Sequence, residues 1–287
     1  VIIGGGIIGL STALRLKQEQ YPNWKIAVVE KDDGLANHQT GHNSGVIHSG
    51  IYYRPDSHKA RFCVEGAQAL LKFCDENEIE YQLCGKVIVA GHESELGRLD
   101  NLYERGVANG VKGLERIGPE RLKELEPHVF GIKALWAPGT GIVDYKKVAA
   151  AYASRFQEAG GDIFIGAEVK NITKHSDVIA IETGGGVLKA KHLINCAGLH
   201  PDRVAEMMGE KIDVRIIPFR GEYFTLKPES RRLVNGLIYP VPDPRFPFLG
   251  VHYTRNIHGQ GEAGPNAVMA FKREGYRKSD IDLRDLW

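Results

Sequence analysis

Three glycines near the start of the chain, Gly4, Gly6 and Gly9, stand in the spacing GxGxxG. In such a turn the first glycine permits the tight reversal, the second lets backbone approach a pyrophosphate, and the third lets a helix pack close to a strand. The helix that follows turns its N-terminus, the positive end of its dipole, toward the phosphates. Glu30 comes 21 residues after Gly9, at the end of the next apolar run. A carboxylate there accepts hydrogen bonds from ribose hydroxyls, and Lys31 beside it is counted with the same site. A dinucleotide is the expected ligand. NAD and FAD both carry adenosine pyrophosphate, so the glycines do not separate them. The segment TGHNSGVIHSGIYY (40–53) does: it is small, polar and glycine-punctuated, as backbone running along a flat ring must be. It supplies Asn43, Ser44, Gly45, Val46 and His48. FAD accounts for it, whereas an NAD enzyme leaves it unexplained.

The elements that must position these residues follow from periodicity. VIIGGGIIGLSTALRLKQEQ reads as strand, glycine turn and helix, with Ile7, Leu10, Ala13, Leu14 and Leu16 at near-helical spacing. KIAVVEK is a second strand, and 33–50 a long loop of the kind that carries function. A helix is expected from Ser57 to Asn77, a strand at 86–90, and helices at 94–109 and 119–125. Asp144 reads as the N-cap of a helix ending near Gly160 and Gly161. Strands are expected at 162–173, 178–183 and 187–196, with a hairpin turn at Gly184–Gly186, then a short helix near 200–208. Beyond it, VRIIPFRGEYFTL, GLIYPVP, FPFLGVHYT and NAVMAF read as an antiparallel sheet. The expected class is α/β in two parts. A Rossmann-like nucleotide-binding domain (1–85 with 140–210) is interleaved with an antiparallel-sheet substrate domain (86–139 and 211–287).

Composition bounds the rest. The chain has 287 residues, 43% hydrophobic and 25% charged, with 37 basic against 36 acidic side chains. A net charge of +1 recruits neither nucleic acid nor an anionic membrane by bulk attraction. No apolar run approaches the ~20 residues of a membrane helix. Four cysteines make no disulfide framework; Cys63 and Cys74 sit three helical turns apart, and Cys196 reads as a small buried thiol. No HExxH or CxxC string occurs, so no metal site is expected, and no GxSxG or GxxxxGK[ST] string points to a hydrolase elbow or P-loop. The chain opens at Val1 inside a strand and stops at Trp287 after a charged stretch. It is treated as a candidate fragment, truncated at the C-terminus.

The N-terminal fingerprint, the 40–53 loop and HLINCAGLH (192–200) together resemble the D-amino-acid-oxidase-like family of FAD enzymes. The strings HNSGVIHSGIYY, KARFCVEG, CGKVIVA, GIVDY, FRGEYF, LGVHYT and GPNAV-AFKREGY carry the resemblance to a 2-hydroxy-acid-oxidising branch across nearly the whole chain. It implies that the first loop runs beside the isoalloxazine, that Ala197 and Gly198 close over the cofactor, and that Val169 contacts adenine. It further implies oxidation of L-2-hydroxyglutarate to 2-oxoglutarate by hydride transfer to flavin N5. The electron acceptor would be a quinone, an electron-transfer flavoprotein or oxygen. The implied location is the bacterial cytoplasm, with peripheral contact at the inner membrane, or a mitochondrial matrix. The alternatives are an FAD enzyme oxidising amines, amino acids or glycerol 3-phosphate, and an FAD-binding chain without turnover.

The reaction asks for a base near neutral pKa, for which histidine is the usual choice, and for donors to carboxylates. His252, in the β-rich half, is the expected base, with His48 beside the flavin; a covalent flavin link to His48 is not expected. Arg220, Tyr223, Tyr53 and Arg54 are the candidate carboxylate partners, and Arg255 a weaker one.

Overall fold

The computed structural model describes residues 1–245 and 249–285; residues 246–248, within the FPFLGVHYT string, and residues 286–287 lie outside the described set. The chain divides into two compact units. One comprises Val1–Asn43, Tyr145–Phe219 and Met269–Trp287, the other Ser44–Asp144 and Arg220–Val268.

The first unit is built on a four-stranded sheet in the order Ile194–Asn195, Ile2–Ile3, Ala27–Val29 and Asp162–Phe164, every neighbouring pair parallel. Parallel neighbours need crossover connections, and the helix Ile7–Arg15 lies in the crossover from the first strand to the second. It buries Gly9, Leu10, Ala13 and Leu14, and packs against the helix Tyr145–Glu158. Its periodicity runs on past Arg15, but the chain winds into a single wider turn at Leu16–Gln20. A three-stranded antiparallel sheet, Val169–Lys174, Ile179–Thr183 and Gly186–Ala190, buries Ile172, Ile179 and Ile181 against Ile3, Val29 and Val204. Its second hairpin turns at the expected glycines, where Gly186 has φ +133° and the Thr183 hydroxyl accepts from the Gly185 N–H at 3.2 Å.

The second unit carries a seven-stranded sheet. In order its strands are Phe219–Thr225, Gly261–Met269, His252–Arg255, Leu237–Pro240, Lys86–Ala90, Lys133–Ala137 and Glu115–Ile117. The sheet is mixed rather than antiparallel throughout, because Leu237–Pro240 runs parallel to Lys86–Ala90. All five residues of Lys86–Ala90 are buried, as a central strand covered on both faces requires. Side chains alternate: Ile88 and Ala90 join a cluster with Leu99, Leu135, Leu237 and Tyr239, whereas Val87 and Val89 pack with Leu122, Ala134 and Ile238. The same alternation puts Lys86 on the face of Ile88 and Tyr239.

The observed unit boundaries fall at 43/44, 144/145, 219/220 and 268/269, not at 85/86, 139/140 and 210/211. The short strands Val46–Ile47 and Tyr81–Gln82 both pair antiparallel with Gly141–Val143, which draws residues 44–85 into the second unit. At the other end Arg273 binds the Leu199 carbonyl at 2.9 Å and the Asp202 carboxylate, so the stretch after 268 belongs to the first.

Candidate active site

The glycine turn sits at the edge between the strands Ile2–Ile3 and Ile194–Asn195. Gly4 has φ +115°, and a Cβ there would lie 2.2 Å from the Cys196 carbonyl oxygen. At Gly9 a Cβ would lie 1.9 Å from the Gly4 carbonyl oxygen. Both glycines are therefore demanded by the protein's own packing. Gly6 differs: its Cβ would meet only the Thr40 hydroxyl, at 3.2 Å. The space over Gly6 is what a pyrophosphate approaching the backbone needs. Gly6 is also the N-cap of Ile7–Arg15 and has no side chain with which to cap it. Thr40, which the sequence reading passed over, accepts the Ile7 N–H at 3.0 Å and so ties the start of the 40–53 segment to the turn.

Glu30 is buried, 8% exposed, and its carboxylate accepts the Gly5 N–H at 2.7 Å and the Asp32 N–H at 3.0 Å. Each oxygen has a second acceptor site, so ribose hydroxyls can still be taken. Ala167 donates to the Glu30 carbonyl at 2.7 Å, which brings the segment leading to Val169 beside this carboxylate. Asn43 donates to the Thr40 carbonyl at 2.7 Å. Gly198 adopts φ +58° directly after Ala197, and Cys196 donates to Ile3 at 2.8 Å, so the Ala-Gly turn lies against Gly4. Lys31 pairs with Glu274 from the far end of the chain, and His38 and His200 lie 3.3 and 3.2 Å from the same carboxylate. Burial alone would raise the Glu274 pKa, but its contacts with His200 and Lys31 and the charge of Lys31 hold it at about 2. A glycine turn that only Gly6 leaves open, a helix start with glycine at its N-cap and a buried acceptor at the next strand end together fit an adenosine diphosphate moiety.

The second unit holds a separate cluster. His252, 4% exposed, opens the strand His252–Arg255. Its Nδ1 lies 2.9 Å from the Gly250 carbonyl oxygen, which can only accept. Nδ1 therefore carries the proton and Nε2 is the basic nitrogen. The ring stacks on Tyr239, centroids 4.0 Å apart, and meets the edge of Tyr223 at 6.3 Å. Burial lowers the His252 pKa, the Gly250 bond partly restores it, and Lys86 lowers it again. His48 follows the strand Val46–Ile47, and its carbonyl accepts from the Cys63 thiol at 3.4 Å. Burial, then the charges of Lys86 and His252, bring the His48 pKa down to about 4. Both imidazoles are thus neutral bases at physiological pH.

Lys86 couples to both histidines, yet sequence reasoning missed it, since it stands at the head of the apolar run KVIVA. It is 1% exposed, with its ammonium 4.6 Å from the Tyr52 ring centroid and 5.1 Å from that of Tyr239. Burial lowers its pKa to about 7, with Cys63 opposing.

The expected carboxylate partners are less concentrated. Tyr223 lies on the His252 side. Arg220 is held by Glu222 at 2.8 Å and, by strand alternation, faces opposite to Tyr223. Tyr53 is half-buried, which raises its pKa, and its carbonyl accepts from Asn109 at 2.9 Å. Arg54 is exposed, its carbonyl accepting from the Ser57 hydroxyl at 2.6 Å. Arg255 donates its backbone N–H to Gly236 at 3.2 Å. Among the described residues no group of three or more metal-ligating side chains occurs, and no helix is long and apolar enough to cross a membrane.

A parallel sheet with an open glycine turn, joined to a mixed-sheet unit, defines a flavin-linked oxidoreductase: the chain belongs to the FAD dependent oxidoreductase family, matched over residues 1–286. Its cofactor is FAD. Among curated relatives it is 52% identical over its whole length to the L-2-hydroxyglutarate dehydrogenase of Indibacter alkaliphilus, covering 72% of that protein. It is 51% identical to the Escherichia coli enzyme of that name, over 99% of this chain and 67% of that one. With the mitochondrial Homo sapiens enzyme of that name it shares 49%, over the whole chain and 64% of the relative. The chain thus spans about two thirds of the length of these relatives. Among solved structures it is similar to FAD-bound, dithionite-reduced L-alpha-glycerophosphate oxidase from Mycoplasma pneumoniae. The TM-score is 0.83 and the identity 26%, over 98% of this chain and 74% of that one. The fold is shared too with L-proline dehydrogenase from P. horikoshii, at TM-score 0.80 and 22% identity, over 93% of this chain and 69% of that one.

Proposed function

We propose that this protein oxidises L-2-hydroxyglutarate to 2-oxoglutarate with FAD. The observation that carries the reading is the 52% identity over the entire chain to L-2-hydroxyglutarate dehydrogenase, which extends through both units. Gly4, Gly6, Gly9, Glu30, Lys31, Asn43, Val169, Ala197 and Gly198 are the proposed FAD-binding residues, with Ser44, Gly45, Val46 and His48 assigned to the same role. FAD, when bound, would supply the two-electron acceptor for the hydride leaving the substrate α-carbon. The protein's task is to orient the hydroxy acid and take the hydroxyl proton. His252 does the latter: Nδ1–H is pinned by Gly250, which leaves Nε2 to receive the proton, and the depressed pKa keeps the ring neutral and ready. His48, neutral for the same reasons, serves as the hydrogen-bonding partner beside the flavin. Tyr223 offers a hydroxyl to a substrate carboxylate on the same side as His252, with Tyr53, Arg54 and Arg220 the remaining donors of the set.

The test is product analysis. The purified flavoprotein is given L-2-hydroxyglutarate with an artificial electron acceptor, and 2-oxoglutarate is quantified against acceptor reduced. One 2-oxoglutarate per electron pair supports the reading. No keto acid from this substrate, but turnover of an amino acid or glycerol 3-phosphate, would assign the protein to another branch of the family.

A further inference from the structure

Lys86 is a fully buried cation that makes no ion pair among the described residues. Around it stand His48 and Tyr52 from the loop after Val46–Ile47, Cys63 from the helix His58–Glu76, Tyr239 and His252. None brings a negative charge near neutral pH. Burial raises the pKa of Tyr52 and Tyr239, and it raises Cys63 against the opposing pull of Lys86. The Tyr52 hydroxyl is itself buried and has no hydrogen-bond partner among the described residues. Two tyrosine faces stabilise an ammonium only modestly, and a buried charge without a counterion is otherwise expensive. Such an arrangement calls for an anion from outside the protein.

We propose that Lys86 is the anchor for a substrate carboxylate, with the Tyr52 hydroxyl as its companion donor, and that Lys86 takes up a proton as the anion binds. The proposal deepens the hydroxy-dicarboxylate reading and rests on it for the identity of the anion. A free ammonium with a pKa of about 7 is partly neutral at working pH. An adjacent carboxylate favours the charged form and moves the pKa up. Binding therefore draws protons from the medium, and affinity falls as pH rises above neutrality. The placement of Lys86 next to His252 also has a consequence for the reaction: one group fixes the acid end while the other faces the hydroxyl.

The test is calorimetric titration of the FAD-loaded protein with glutarate, a dicarboxylate that lacks the hydroxyl and cannot be oxidised, at pH 7.5 in buffers of different ionisation enthalpy. The expected result is net proton uptake by the wild-type protein. In Lys86→Met, which keeps a long unbranched side chain between the two rings, affinity should drop about 10- to 100-fold, the loss expected for one charge-assisted hydrogen bond. Uptake should vanish while flavin content stays at wild-type level. Unchanged affinity, or uptake that persists in Lys86→Met and so belongs to the histidines, would overturn the anchor. Wild-type binding without uptake would do the same, and needs no variant. If the wild type ignores glutarate but binds a monocarboxylate such as acetate in a Lys86-dependent way, the anchor stands and the dicarboxylate reading falls. Binding of neither anion overturns both.

Discussion

The imidazole of His252 lies flat on the phenol ring of Tyr239, centroids 4.0 Å apart and planes 17° from parallel. Stacking on one side and the Gly250 carbonyl at Nδ1 leave the ring little freedom, so Nε2 is presented in a fixed direction. Replacing His252 with Ala should leave FAD bound and slow its reduction by substrate ~10²–10⁴-fold, the usual worth of a positioned base. Stopped-flow absorbance at the flavin band measures this, and a wild-type rate in the variant would transfer the base role to His48.

The pH dependence of that step follows in sign from the same environment. Burial and Lys86 lower the His252 pKa below its ordinary 6.5, so the neutral, basic form persists into mildly acidic solution. The limb of the reduction rate that rises with pH should therefore have its midpoint below 6.5. A midpoint above 6.5 would mean that a different group gives the controlling titration.

Two glycines of the fingerprint should behave differently when substituted. Gly4→Ala places a methyl 2.2 Å from the Cys196 carbonyl at a positive φ, so it should lower the melting temperature and cofactor content together. Gly6→Ala meets only the Thr40 hydroxyl at 3.2 Å, so the fold should survive while flavin retention drops, and Gly6→Val should abolish it. Thermal melts alongside flavin absorbance per protein separate the two outcomes; equal flavin content in Gly6→Val and wild type would misplace the pyrophosphate.

Asp202 and Arg273 form a forked ion pair, with Nη2 to Oδ2 at 2.6 Å and both side chains under a tenth exposed. The Arg273 hydrogen bonds are the main reason the Asp202 carboxyl stays near about 2 rather than 3.8. A depressed carboxyl pKa contributes stability that is complete above 3.8 and lost as pH falls through about 2. Asp202→Ala should destabilise the protein by about 1.5–3 kcal/mol, because the guanidinium loses its forked partner but keeps Asp285 at 3.7 Å and the Leu199 carbonyl, a change that denaturant titration resolves.

What could be read from residue order was local. GxGxxG followed by Glu30 was legible as strand, turn, helix and second strand because these are consecutive there. KVIVA and the Gly184–Gly186 hairpin were legible for the same reason. The unit boundary was not, because it depends on two-residue strands at 46–47 and 81–82 that take their meaning from a partner at 141–143. Nor was the parallel pairing of 237–240 with 86–90, which joins segments some 150 residues apart. Lys86 was hidden by its neighbours: a lysine heading an apolar strand reads as its solvent-facing end, and only the tertiary packing of Tyr52 and Tyr239 buries it. Glu274 gathers Lys31 and His38 from one distant stretch and His200 from another, and no spacing rule announces that.

The central claim is FAD-dependent oxidation of one enantiomer of a hydroxy dicarboxylate, and one spectrum tests it. The purified protein, kept anaerobic, is scanned across the visible before and after L-2-hydroxyglutarate and, separately, its D-enantiomer. Bleaching of the flavin band by the L-form alone is the predicted result. A band that keeps its full intensity with the L-form, or that bleaches equally with both, would contradict the account.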